Sequence, residues 1–245
     1  MRFADAFTRL RSASIEALSY ARQATLLHLD VDRPVVPEGV GEGEDVVVLL
    51  HGLFATAGVL RPLRQAVARM ARVHTATFTY APGPDVGALC DRLAGLVGEL
   101  PASARLHLVG HSLGGVIARA YAHDRGDARV VQTLSLASPF AGVPGAAALS
   151  FGAARDLDPQ SALLRRLRIG ASTLGVPHLS ILAGADNVVR PPLAHALPGG
   201  DVLVLEGRGH NTLLFDDEAA RAVKERIRLR VGGARVVSTP PCGSP

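Results

Sequence analysis

Tryptophan is absent from this chain, and aromatic residues as a whole make up only 4% of it. No basic stripe carries interleaved aromatics, so the usual footprint of a nucleic-acid-binding surface is missing. The charge agrees. Lys+Arg of 26 against Asp+Glu of 22 is a small excess, and it collects at Arg2, Arg9, Arg11 and Arg22 and again at Arg165, Arg166, Arg168, Arg226, Arg228 and Arg230. Cysteine is nearly as scarce. Cys90 falls in an apolar helical stretch and Cys242 in a Pro/Gly/Ser tail, which argues against a disulfide framework and against a clustered metal site. No GxxxxGK phosphate loop is present, and the Gly110–Gly115 segment lacks the lysine that would hold a phosphate. The expectation is therefore no metal and no cofactor. No apolar run approaches the ~18 residues of a membrane span. The first twenty residues carry charges throughout, without the apolar core of a signal peptide. A soluble, cytoplasmic protein is expected, with its oligomeric state left open.

What the chain does have is aliphatic bulk: 48% of it is hydrophobic, mostly Ala, Val and Leu. Apolar strand-like runs at 46–50, 73–80, 105–109, 130–137, 178–183 and 201–205 alternate with helical patterns near 57–71, 85–100, 113–124, 153–168 and 216–230. Such alternation predicts βαβ units, hence a mainly parallel sheet with helices on both faces, over a domain spanning 45–230. Ahead of it, Phe3, Phe7, Leu10, Ala13 and Ala17 recur at helical spacing. They predict an amphipathic helix within residues 1–30, packed on the domain surface and open to weak contact with a membrane surface. The segment 140–177 is a longer connection that leaves a strand end, where open α/β sheets bind ligands, and is a candidate lid. Residues 231–245 read as a flexible tail.

One pentapeptide concentrates the chemistry. Gly110-His111-Ser112-Leu113-Gly114 joins the apolar run Leu106–Val109 directly to a helical run, so the strand-to-helix turn is tight and Ser112 stands at its tip. A serine hydroxyl needs a base, and the base needs an orienting acid. Asp186 ends one later strand and His210 follows the next, in the chain order Ser, Asp, His. Backbone N–H groups must meet the negative charge that develops on the substrate carbonyl. Those of Leu113, after the serine, and Leu53, after His51-Gly52 at the first strand's end, are the candidates. Asp201, Asp216 and Asp217 are substitutes for Asp186, and the role of Asn211, beside the histidine, is open. His51 and His111 adjoin the site and are expected to shape it. His28, His74, His107, His123, His178 and His195 have no nucleophile nearby in the pattern.

With HGLF at 51–54, GHSLGG at 110–115, LASPFAGVPG at 136–145, LAGADNVVRPP at 182–192 and GRGHNTLLF at 207–215, the chain resembles the α/β-hydrolases of the bacterial lipase/esterase group. The resemblance runs from about Val46 to about Arg230 and implies a sheet of about eight strands. Only six are evident here, so the opening antiparallel hairpin is expected to be missing. It also implies Ser112 as nucleophile, Asp186 as orienting acid, His210 as general base and Leu53 and Leu113 as the oxyanion hole. Phe54, His111 and Phe140 are candidate substrate contacts; Phe140 stands where the group commonly carries histidine. The function expected is hydrolysis of a small-molecule acyl ester or lipid through an acyl-enzyme. The alternatives are acyl transfer, thioester or amide hydrolysis on the same triad, or a non-catalytic binding protein.

Overall fold

The computed structural model describes residues 3–149 and 151–231, with side chains from residue 11 onward. The expected apolar face of Phe3, Phe7 and Leu10, Cys242 and the tail beyond Val231 lie outside what is described. Helix α1 runs Phe3–Leu26 and is followed by strand β1, Asp45–Leu50. The chain then alternates: α2 (Arg61–Ala68), β2 (Val73–Thr77), α3 (Val86–Gly98), β3 (Arg105–His111), α4 (Leu113–Arg125) and β4 (Val130–Leu136). Two short helices, α5 (Gly152–Asp156) and α6 (Ala162–Ile169), precede β5 (His178–Ala183), β6 (Asp201–Leu205) and α7 (Asp217–Arg228). The six strands form one parallel sheet in the order β2-β1-β3-β4-β5-β6.

The uniform Val/Leu run of β1 follows from cover on both faces. Val46, Val48 and Leu50 point into a core shared with Leu89 and Leu93 of α3, Val116 and Ile117 of α4, and Leu164 and Leu167 of α6. Val47 and Leu49 point the other way, among Leu63 and Val67 of α2 and Val223 and Ile227 of α7. Buried on both sides, the strand has no polar face to alternate with. Helix starts follow local chemistry. Asp85 accepts from the Ala88 N–H, Ser161 from that of Leu164, and Asp216 from those of Glu218 and Ala219.

Three boundaries differ from expectation for identifiable reasons. The helix predicted at 153–168 is two helices, because Pro159 between them cannot continue an α-helix and its predecessor avoids the α region. The helix at 57–71 opens as a 3-10 turn, Ala57–Leu60. The strand at 73–80 stops at Thr77, and the Tyr80 N–H bonds to His51 Nε2. No opening hairpin appears among the described residues: antiparallel pairing reduces to one bridge, Val35 with Thr77. No helix among them is long and apolar enough to cross a membrane. Cys90 is buried in the core, and burial pushes its thiol up to about 12.

Candidate active site

β3 ends at His111 and α4 begins at Leu113, leaving Ser112 alone in the turn with φ +53° and ψ −121°. A non-glycine residue there costs about 1–3 kcal/mol and needs surroundings that enforce it. The enforcement is visible. The Ser112 N–H is held by the Leu136 carbonyl at the end of β4, 2.8 Å away. A Cβ on Gly110 would run into the Gly114 backbone, so the strand and the first helical turn come together only because that side chain is missing. The start of α4 then sits directly behind the serine, where unpaired N–H groups and the helix dipole favour negative charge.

The partners arrive from the ends of β5 and β6. Asp186 is buried; its Oδ1 accepts the Val188 and Val189 N–H groups at 2.7 and 2.8 Å, and its Oδ2 faces His210 Nδ1 at 2.9 Å. That leaves the other ring nitrogen of His210 for the cavity that Ser112 also lines. The substitute carboxylates are engaged elsewhere. Asp201 pairs with Arg226 at 2.6 Å, Asp216 with Arg208 at 2.9 Å, and Asp217 lies in the first turn of α7.

The loop after β1 faces the same cavity through Gly52, Leu53 and Phe54. Among the described residues the Leu53 N–H has no hydrogen-bond partner, and the Leu113 N–H opens α4. His51 anchors this loop. Its ring stacks on Tyr80 with centroids 3.7 Å apart, its Nε2 accepts the Tyr80 N–H, and its Nδ1–H donates to the Gly52 carbonyl at 2.8 Å. The Tyr80 hydroxyl donates in turn to the His51 carbonyl. Burial pulls the His51 pKa down to about 4, so the ring is neutral and Nε2 stays an acceptor at ordinary pH. His111 is neutral for the same reason, its pKa pulled to about 3 by burial and then by His210; its Nε2–H donates to the His210 carbonyl at 3.0 Å.

The cavity measures about 530 Å³, well inside the size range of small-molecule sites. Its far wall is apolar and comes from the 140–177 segment: Val143, Pro144, Ala146, Leu149, Ala154 and Leu157. Of the expected substrate contacts, Phe54 and His111 line it. Phe140 does not. Its side chain is fully buried, its ring nearly perpendicular to that of His178 with centroids 5.4 Å apart, and Pro139 takes the place at the cavity. An aromatic ring that can bury fully in the core gains more there than at a half-wet rim. The sequence reading also missed Tyr20 and Gln23 of α1, which line the cavity, and Glu16 and Tyr80, which bear on its loops. Glu16, Tyr20 and Gln23 share one helix face at i, i+4 and i+7, a polar stripe that was there to be noticed.

A family model described as palmitoyl protein thioesterase matches residues 46–171, from the first residues of β1 through α6. The chain belongs to the palmitoyl protein thioesterase family. No curated protein sequence matches it. Among solved structures, the mature lipase BlEst2 of Bacillus licheniformis is 15% identical with a TM-score of 0.61, over 81% of this chain and 97% of that one. A structure described with the metagenome-derived lipolytic enzymes LipS and LipT is 19% identical, with a TM-score of 0.61 over 80% of this chain and 95% of that one. The Paleococcus ferrophilus monoacylglycerol lipase is 16% identical, with a TM-score of 0.57 over 80% and 95%. At such identities these likenesses bear on the fold, which is that of the α/β-hydrolases. The family member described here is thus a hydrolase-type enzyme with a lipase/esterase-like scaffold.

Proposed function

We propose that this family member hydrolyses carboxylic esters of apolar acyl groups through an acyl-enzyme. The observation that carries the reading is the convergence of Ser112, in its φ +53° turn, with the Asp186–His210 pair on one largely apolar cavity. His210 takes the Ser112 proton as Oγ attacks the ester carbonyl, and the tetrahedral oxyanion is met by the Leu53 and Leu113 N–H groups. Collapse breaks the C–O bond to the alcohol, which leaves with the proton from His210. Water then adds to the acyl-serine with His210 as base, and the carboxylic acid departs with Ser112 restored. Asp186, fixed by two backbone donors, holds the imidazole with Nδ1 as the protonated nitrogen and stabilises the imidazolium.

Thioester hydrolysis is the second reading, favoured by the family match over residues 46–171. A thiolate leaves more readily than an alkoxide, so the same residues serve it without change. Steady-state hydrolysis of p-nitrophenyl esters from acetate to palmitate, beside acyl thioesters of equal length, separates the two. Turnover should depend on Ser112, with Ser112→Ala losing about 10⁴-fold or more. A loss under about tenfold would remove the serine from the nucleophile's role. A thioester preference at equal chain length would install the second reading.

A further inference from the structure

Helix α1 touches the site at the residue it most depends on. Glu16, 7% exposed, lies against the turn that carries His210. Its Oε1 accepts the Asn211 N–H at 2.8 Å; its Oε2 accepts the Thr212 N–H at 3.0 Å and the Thr212 hydroxyl at 2.7 Å. On the near side of the histidine, a Cβ on Gly209 would run into the same carboxylate. The carboxylate therefore brackets His210, meeting Gly209 before it and the two residues after it.

No Lys or Arg among the described residues forms an ion pair with Glu16. A carboxylate out of water is costly unless its oxygens are satisfied, and here backbone and hydroxyl donors alone satisfy them. An apolar side chain would fill the space without that cost, but it would leave two buried N–H groups unpaired. The remaining degrees of freedom of His210 are held by other elements: the carbonyl by His111 Nε2–H, the ring by Asp186. One and two helical turns beyond Glu16, Tyr20 and Gln23 form part of the cavity wall.

We propose that Glu16 is a positioning residue for His210, so that α1 is a working part of the catalytic site. The proposal rests on the serine-hydrolase reading for its kinetic consequence, and on the Glu16 hydrogen bonds for its structural one.

The test compares wild type, Glu16→Ala and Glu16→Gln. Glu16→Ala should lower both kcat on a p-nitrophenyl ester and the rate of Ser112 labelling by a fluorophosphonate about ten- to a hundredfold, with KM within about twofold. Glu16→Gln, whose carbonyl still accepts one N–H, should stay within about fivefold of wild type, and added formate should restore part of the alanine variant's rate. A Glu16→Ala enzyme within about twofold of wild type overturns the proposal. So does a loss that neither glutamine nor formate recovers and that follows a fall in melting temperature. Wild type that neither turns over nor labels at Ser112 would count against the serine-hydrolase reading alone. Glu16 is then judged by amide hydrogen exchange at Asn211 and Thr212, which should quicken about tenfold in Glu16→Ala with the core unchanged, and unaltered exchange there sinks the claim.

Discussion

Two residues behind the loop after β1, His51 and Tyr80, bear on the proposed oxyanion hole without lining the cavity. His51 presents Nε2 to the Tyr80 N–H, stacks on the Tyr80 ring and offers its carbonyl to the Tyr80 hydroxyl, so three contacts hold the path of the β1 exit. The Leu53 N–H inherits its direction from that path. Removing the hydroxyl alone, as Tyr80→Phe, keeps the stack and frees the His51 carbonyl. We expect kcat to fall about tenfold with KM unchanged, less than the ~10²–10³ seen when an oxyanion donor is lost outright. Equal kcat in both enzymes would detach Tyr80 from the loop. Residues of this kind also mark where a sequence stops being readable. Ser112, Asp186 and His210 stand out in the sequence because each has glycine within two residues and follows an apolar run by a few positions. Glu16 and Tyr80 act on backbone atoms of residues far along the chain, and their own neighbours in sequence are ordinary. Phe140 misled in the opposite direction: its place in a family loop suggested a contact, and its bulk carried it into the core.

At the scale of elements, strands and helices were legible because the period of the apolar residues changes cleanly between them, and every strand run lands within a few residues of a real strand. The 140–177 segment was legible as a long connection and candidate lid with a helical pattern at 153–168, but not in its contacts. In the structure it does two jobs. The buried Arg119 guanidinium, still charged with a pKa pulled by burial to about 10, donates to the Ala171 and Val176 carbonyls and fixes the segment's return to β5. Gly152 and Ala153 N–H groups bond to the Gly83 and Pro84 carbonyls, and Asp156 accepts the Val86 N–H, docking α5 beside α3. The apolar wall between those anchors lines the cavity. Ala154 is fully buried and lines it, so Ala154→Leu should shorten the space available to an acyl chain. The expected result is a shift of the optimum toward shorter p-nitrophenyl esters, with long-chain kcat/KM down about tenfold and acetate hydrolysis within about twofold, at a stability cost of about 1–3 kcal/mol. An unchanged chain-length profile would place the acyl group elsewhere.

Across the whole molecule, the buried histidines couple folding to acidity. His178 lies between the Thr133 and Ser135 hydroxyls, and burial, then Arg119 and Arg226, hold its pKa near about 3. His111 is also held near about 3, by burial and His210 against the opposing pull of Asp186, and His51 near about 4 by burial alone. All three start from 6.5 in the unfolded chain. Between those limits the unfolded chain binds protons that the folded one refuses, so stability rises with pH through the window. The contribution is complete above about 6.5 and disappears as the pH falls toward 3 to 4. Relative to neutral pH, each histidine removes about 2 kcal/mol by pH 5, and the three together about 6, against the ~5–15 kcal/mol that holds a typical domain. Urea unfolding at pH 7 and pH 5 measures this directly: the midpoint should drop steeply, with acid unfolding setting in well above the carboxylate range. Replacing His178 by glutamine, which keeps polar contacts to the two hydroxyls without titrating, should flatten about a third of the slope. Identical unfolding free energies at the two pH values would mean that these rings accept protons inside the fold, and His111, so close to His210, could then no longer be treated as a neutral donor to its carbonyl.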